Sequence, residues 1–219
     1  MIQTDETYDI LLDVPYYCQN DPNNGLEQFW RERSCGVHSL KMVLDYWRLK
    51  EGKEPIPVPE LFDHAYKIAG VNENYDWAHS SFTKTAHDYG FIAWRRMWSL
   101  SADQRKAAAA SGVTDESLER NEAQQRLESL PTLVDALDHG KPVIVSVAKN
   151  FDEVDRSHLI VLTGIRRKQK LGSYEGFFYN DPFSPVDHFA KERYVTIDVF
   201  REKWNYLAIF VEPADNTLA

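Results

Sequence analysis

The chain contains little cysteine, since Cys18 and Cys35 are the two cysteines in 219 residues. Two cysteines are too few for a disulfide-stapled scaffold, although a single bond between them remains open. The sequence has no Cys-x-x-Cys pair, which argues against a structural zinc site. With 43% hydrophobic and 13% aromatic residues, the chain has ordinary globular composition and can bury a full core.

The sequence also lacks an apolar run long enough to cross a bilayer. Its first ten residues, MIQTDETYDI, are polar and acidic, unlike a signal peptide. Basic residues are in deficit, with 25 Lys and Arg against 34 Asp and Glu and a net charge of −9. This balance disfavours a nucleic-acid surface and an anionic membrane surface. We therefore expect a cytoplasmic protein, unless a signal has been removed, with no nucleic-acid partner and no membrane insertion.

Helical periodicity dominates the first half of the chain. The segment SCGVHSLKMVLDYW has apolar residues at helical spacing, which predicts an amphipathic helix with one buried face. Ser34 precedes it as a candidate N-cap, so Cys35 should lie in the first turn. The sequence predicts further helices at 59–69, 80–89 and 132–139, a strand at 91–98 and an extended segment at 10–17.

Residues 101–129 are charged and alanine-rich and are the least core-like part of the chain. They predict one or two surface helices. We interpret them as a helical insertion at about 99–130 within a single domain spanning residues 1–219. Such an insertion could form a lid or contact a protein partner.

The second half is rich in β-forming residues. Short runs separated by turns predict strands at 142–148, 158–165, 176–180, 193–197 and 207–211. Helices come first and strands follow, a pattern typical of an α+β fold with a mostly antiparallel sheet.

Three residues in this pattern suggest thiol chemistry. Cys35 lies at a predicted helix start, where free backbone N–H groups lower the pKa of a thiol, and Gly36 leaves the approach to the sulfur open. His158 opens a predicted strand and Asp181 follows the next one. If those strands pair as a hairpin, Asp181 can orient the His158 ring, as the third group of a catalytic triad does. Taken singly, Cys35 and His158 could be buried core residues, and Asp181 could cap a turn.

Four sequence elements occur in order between residues 14 and 182: VPYYCQ, SCGVHSLKMVLDYW, SHLIVLTGI and YNDP. Together they resemble the bacteriocin-processing (double-glycine) peptidase family of papain-like cysteine peptidases and its stand-alone relatives. The resemblance implies a papain-like fold, with an N-terminal helical half packed on a mostly antiparallel β-sheet. The residues at 38 and 41 and the segment 95–130 depart from the family pattern.

The resemblance also implies roles for individual residues. Gln19 matches the glutamine of the oxyanion hole, and Gln28 is an alternative because it lies closer to the cysteine. Gly36 and Ser157, beside the nucleophile and the base, are expected to contact substrate. Trp94, Trp98, Trp204 and Tyr206 could line a substrate groove or pack in the core.

The leading hypothesis is a cysteine peptidase acting through Cys35, His158 and Asp181 by an acyl-enzyme, with no cofactor and no metal. His79 and His87 lack acidic or cysteine partners at metal-ligand spacing. An extended peptide would occupy the cleft between the helices and the sheet, and by analogy the cut would follow small residues such as Gly-Gly. The alternatives are an acyl transferase of the same clan and an inactive module that binds a peptide or a protein.

Overall fold

The computed structural model describes residues 6–74, 76–168, 173–183 and 191–214. Helices predominate in the first part of the chain and strands in the second, as the sequence predicts. The helices are α1 (Gln28–Arg31), α2 (Cys35–Lys50), α3 (Val58–Ala69), α4 (His79–Asp88), α5 (Ala102–Ala110), α6 (Asp115–Asp138) and α7 (Ile197–Lys203). The strands are β1 (Thr7–Leu11), β2 (Phe91–Met97), β3 (Val143–Lys149), β4 (Glu153–Lys168), β5 (Tyr174–Asn180), β6 (Arg193–Thr196) and β7 (Trp204–Pro213).

The strands form a single antiparallel sheet in the order β2-β7-β3-β4-β5-β6, with β1 paired to the distal part of β4. The long strand β4 organises this sheet, since β1, β3 and β5 all hydrogen-bond to it. The expected α+β fold with a mostly antiparallel sheet is confirmed.

The sheet separates two hydrophobic clusters. Alternate residues of β4 point to opposite faces, so that Leu159 and Val161 join one cluster and Ile160 and Leu162 join the other. The first cluster contains the apolar faces of α2, α3 and α4, and the second contains those of α6 and α7. Full burial of a side chain such as Leu40 contributes about 1.5–3 kcal/mol, so this layered packing holds α2 firmly on β4.

The prediction of a separate short helix at 132–139 is wrong. Helix α6 continues through Pro131 and includes that segment as its C-terminal part. Proline removes one backbone donor and normally breaks a helix. Here Leu130, Leu133 and Leu137 are buried against the second face of the sheet, and this packing keeps the helix continuous. The proposed insertion boundary near residue 130 therefore falls inside a helix, and the insertion remains a prediction.

Other boundaries differ from the predictions in ways that follow from pairing. Strand β4 extends from residue 153 to 168, beyond the expected 158–165, because β1 and β3 pair with its two ends. Strand β1 ends at Leu11, earlier than the expected extended segment at 10–17. None of the helices in the described residues is both long and apolar enough to cross a membrane.

Candidate active site

Cys35 is the first residue of α2 and is partly exposed at the base of a cleft. The backbone N–H groups of a first helical turn have no intrahelical acceptor, so they create a positive environment for a thiolate. Ser34 occupies the N-cap position, as predicted, but its hydroxyl donates to the Arg31 carbonyl at 2.9 Å and does not cap the helix. The first-turn N–H groups near the thiol therefore have no side-chain cap as hydrogen-bond acceptor.

The hairpin of β4 and β5 brings the predicted base and its orienting acid together. Val161 pairs with Asn180 in this hairpin, so the residue after β5 lies beside the first part of β4. His158 Nε2 donates to Asp181 Oδ1 at 2.6 Å, and both side chains are buried. Since Nε2 bonds to the acid, Nδ1 is the ring nitrogen left for the hydrogen bond with the Cys35 thiol.

The pKa values of the three groups shift in directions that favour an ion pair. Burial raises the pKa of the Cys35 thiol, but the hydrogen bond and charge of His158 and the N–H groups of Leu159 and Gly36 lower it more, to a net value below the ordinary one. Burial lowers the pKa of His158, but Asp181 and Cys35 raise it to about 9. Both directions favour a thiolate beside an imidazolium.

Asp181 is held by contacts other than the imidazole. Its Oδ1 accepts the Phe183 backbone N–H at 2.9 Å, and its Oδ2 lies 3.4 Å from Arg193 Nη1. Burial raises the pKa of this carboxyl, but His158, the Phe183 N–H and Arg193 outweigh it and keep the pKa below its usual value. The carboxylate is thus ionised and fixed in orientation.

Gln19 lies in the cleft beside these groups, whereas Gln28 does not line it. The Gln19 side chain is buried, its Nε2 donates to the Arg31 carbonyl at 2.8 Å, and its backbone N–H donates to the Pro182 carbonyl at 2.7 Å. An amide nitrogen has two N–H groups, and the hydrogen bond to the Arg31 carbonyl uses one of them. Gln28 is exposed on α1 and donates to Glu32 at 3.1 Å.

His38 connects Gln19 to the start of α2, a link that the sequence did not reveal. Its Nδ1–H donates to the Ser34 carbonyl at 3.0 Å, and its Nε2 accepts from Asn24 Nδ2 at 3.3 Å. Asn24 Nδ2 also donates to the Gln19 carbonyl at 2.8 Å. Burial lowers the pKa of His38 to about 4, so the neutral tautomer that these bonds require is the stable one.

Lys41, the other departure from the family pattern, is a buried structural residue. Its ammonium donates to Asp45 at 2.5 Å and to the Ile56 carbonyl, and it lies 4.0 Å from the centroid of the Tyr17 ring. Asp45 also accepts the Ile56 N–H at 2.9 Å. This pair joins α2 to the segment that leads to Gln19.

Gly36 and Ser157, the two residues predicted to contact substrate, both line the cleft. A Cβ on Gly36 would lie 2.1 Å from the Phe82 ring, so glycine at this position lets Phe82 pack against the helix start. Ser157 is exposed, and its hydroxyl accepts from Asn205 at 3.4 Å.

The cleft has a volume of about 990 Å³ and its two ends differ. Trp77 and Phe82 form a wall beside Gly36, and Phe183 and Lys149 form a wall beside His158. The sequence pattern did not indicate these aromatic residues. None of the four aromatic candidates from the sequence lines this cleft, and two of them, Trp98 and Trp204, are core residues. The four candidates are Trp94, Trp98, Trp204 and Tyr206. Within the described residues, no group of three His, Cys, Asp or Glu side chains is arranged to hold a metal ion.

Comparison with solved structures defines the class as a papain-like cysteine peptidase fold. A double glycine motif protease from an AMS/PCAT transporter, solved in complex with the leader peptide, is similar with a TM-score of 0.52 and 15% identity, covering 93% of this chain and 94% of that one. A protein described as a C39-like peptidase from Bacillus anthracis is similar with a TM-score of 0.56 and 16% identity, covering 95% and 100%.

The sequence itself matches a family model. The model of the Peptidase_C39 like family matches residues 11–209, most of the chain, and the chain belongs to this family of cysteine peptidases. No curated protein matches the sequence. The resemblance found in the four sequence elements is therefore confirmed.

Proposed function

We propose that this protein is an active cysteine peptidase in which Cys35 is the nucleophile, His158 the general acid and base, and Asp181 the residue that orients His158. The observation behind this proposal is the chain of hydrogen bonds from the thiol through the imidazole to the carboxylate. Its three pKa shifts have the directions that activation requires. A cysteine that served only to fill the core would not be expected at a helix start facing an ionised His–Asp pair.

In the proposed mechanism the Cys35 thiolate attacks the carbonyl carbon of the scissile amide. The oxygen becomes an oxyanion and accepts hydrogen bonds from the remaining Gln19 Nε2–H and the Cys35 backbone N–H. The His158 imidazolium then gives its proton to the leaving nitrogen, the C–N bond breaks and a thioester remains. Water attacks the thioester, with His158 as base, and releases the acid and the free thiol.

The proposed substrate is an extended peptide lying in the cleft. The volume of about 990 Å³ holds several residues, and Gly36, Ser157 and the aromatic walls offer contacts on both sides of Cys35. The neighbour solved with a leader peptide binds a peptide in the same fold. We therefore extend the proposal to cleavage after small residues, of which Gly-Gly is the first to test.

Hydrolysis is proposed over transfer and over a binding module. The intact set of thiol, imidazole, carboxylate and amide is more than a binding module needs. Transfer uses the same acyl-enzyme but resolves it with an amine or a thiol in place of water. A rise in turnover on adding such acceptors, with the acceptor found in the product, would favour transfer.

The experiment that tests the proposal has two parts. Iodoacetamide alkylation is followed by peptide mass spectrometry from pH 4 to 10 at Cys35, with the buried Cys18 as internal control. Alkylation of Cys35 well below the free-thiol pKa of about 8.5, lost in His158→Ala, is expected. A proteome-derived peptide library is then incubated with the protein and with Cys35→Ala. Slow alkylation that does not depend on His158, together with no cleavage beyond the Cys35→Ala background, would overturn the proposal.

A further inference from the structure

Among the residues that the structure describes, two permanent cations line the cleft, Arg33 and Lys149, and their surroundings differ. The Arg33 guanidinium lies 4.0 Å from the centroid of the Phe29 ring and 3.8 Å from the Glu32 carboxylate. The Lys149 ammonium lies 3.4 Å from the centroid of the Phe183 ring, and no ion pair joins it to a carboxylate among the side chains that the structure describes. Among those side chains, this positive charge of the cleft has no counter-ion.

The Phe183 ring that supports Lys149 belongs to the loop of the candidate triad. Its backbone N–H donates to Asp181 and its carbonyl accepts from Asn20 Nδ2 at 3.0 Å, so the Phe183 backbone is hydrogen-bonded on both sides. The ring meets the His158 imidazole edge to face, with 6.1 Å between the centroids. Lys149 is the last residue of β3, and its carbonyl accepts the Asp152 N–H at 3.1 Å in the following turn. The ammonium is therefore held on the His158 side of the cleft.

The His158 side is where the leaving fragment of a substrate must lie. In the proposed mechanism His158 protonates the leaving nitrogen, so the fragment that departs begins beside the imidazole. The acyl fragment then extends toward Trp77 and Phe82, next to Gly36. An extended chain advances about 3.3–3.6 Å per residue, so the first two residues of the leaving fragment bring a side chain within reach of Lys149.

We propose that Lys149, held on the Phe183 ring, forms a subsite for a carboxylate on the leaving fragment of the substrate. This inference rests on the proposed peptidase function. The cation–π contact occupies one side of the ammonium, and its remaining N–H groups are available to a carboxylate. The carboxylate is an Asp or Glu side chain at one of the first two leaving positions, or the chain end of a short leaving fragment.

The test compares cleavage specificity in wild type, Lys149→Gln and Lys149→Glu. Lys106→Gln, at an exposed position of α5, gives the same change in net charge away from the cleft. Each protein digests one proteome-derived peptide library, prepared with free and with amidated C-termini, and the cleavage sites are read by mass spectrometry. In wild type and Lys106→Gln we expect acidic residues at the leaving positions to be enriched about two- to fivefold over the library.

The variants decide between the outcomes. Loss of the acidic preference in Lys149→Gln and a preference for Lys and Arg in Lys149→Glu would support the subsite. A preference present in free peptides and absent in amidated ones would assign it to the chain-end carboxylate. Cleavage by all four proteins with the same leaving-side profile would overturn the inference and leave the peptidase function standing.

A second measurement does not depend on peptide turnover. The alkylation rates of Cys35 with iodoacetate, which is anionic, and with iodoacetamide, which is neutral, are compared in the same four proteins. We expect the ratio of the two rates to fall about twofold in Lys149→Gln and further in Lys149→Glu, because the cation attracts the carboxylate. An unchanged ratio in folded variants would overturn the subsite, even if no peptide were cleaved.

Discussion

Two buried histidines near α2 have pKa values on opposite sides of neutral pH. His38 and His158 are 0% and 4% exposed, so burial penalises the imidazolium of both. The pKa of His38 falls to about 4, whereas that of His158 rises to about 9. The two imidazoles are buried to a similar depth, so their pKa values differ because of the groups that contact them.

The partners of the two rings explain this difference. His38 bonds to a carbonyl and an amide, the Ser34 oxygen and Asn24, and the Lys41 ammonium lies near enough to oppose a second positive charge. His158 lies between a carboxylate and a thiol that both become negative. Burial alone would keep each ring neutral, and only the ring with acidic neighbours is charged and suited to proton transfer.

The largest effect should come from removing the acid beside His158. In Asp181→Ala the imidazolium loses its strongest support, so the pKa of His158 falls and that of Cys35 rises. We expect kcat/KM for a cleaved peptide to fall by roughly 10²–10⁴-fold and Cys35 alkylation to shift to higher pH. Asp181→Asn keeps an acceptor oxygen and should lose less. An alkylation profile that is the same in Asp181→Ala as in wild type would contradict the comparison.

Removing the Gln19 amide should affect turnover without affecting the ion pair. Gln19→Ala loses one oxyanion donor, so we expect kcat to fall by roughly 10²–10³-fold with little change in KM. The pH profile of Cys35 alkylation should not move, because the thiolate is present before any oxyanion forms. Gln28→Ala is the matched control and should behave as wild type. Equal losses in the two variants, or a loss in Gln28→Ala alone, would remove Gln19 from its proposed role.

His38→Ala should act on stability more than on chemistry. The substitution removes one hydrogen bond from the Ser34 carbonyl and one from the Asn24 amide and opens a cavity, so we expect a loss of about 2–4 kcal/mol in urea unfolding. His38→Gln retains a donor and an acceptor and should recover part of this loss. His139→Ala, on the exposed end of α6, should change stability by less than about 0.5 kcal/mol. Equal losses at the two positions would show that the hydrogen bonds of His38 add no more to stability than those of an exposed histidine.

Much of the fold could be predicted because it follows from local patterns. Apolar spacing predicted α2, and β-rich runs predicted the central strands and their antiparallel pairing. The prediction failed at Pro131, where a local helix breaker is overridden by buried leucines that contact the sheet. Local sequence does not contain the packing that decides this position.

The candidate site likewise contains some residues that local sequence predicted and others that it did not. Cys35, His158 and Asp181 were found because each adjoins the end of a predicted helix or strand, and a hairpin then brings two of them together. The bonds from His38 through Asn24 to Gln19 depend on how the loop after Gln19 folds back, and no periodicity predicts that path. The same holds for Trp77, Phe82 and Phe183, which reach the cleft from segments far from Cys35 in sequence.

His38 and His158 contribute to stability with opposite pH dependence. The pKa of His38 in the folded protein, about 4, lies below its ordinary value of 6.5, so the unfolded chain binds the proton first as pH falls. The contribution of His38 to the free energy of unfolding is complete above pH 6.5. It should decrease by about 2 kcal/mol between pH 7 and pH 5, at 1.36 kcal/mol per pKa unit. The raised pKa of His158 acts in the opposite direction, with a contribution present below pH 6.5 and lost as pH rises through about 9.

Urea unfolding of wild type and His38→Gln from pH 4.5 to 9.5 measures this difference. The two curves should converge as pH falls below 6.5, because the variant has no imidazole to protonate at that position. They should run parallel on the alkaline side, where His158 is common to both proteins. Curves parallel over the whole range would mean that His38 is not held neutral by its surroundings. The contrast between the two histidines would then rest on His158 alone.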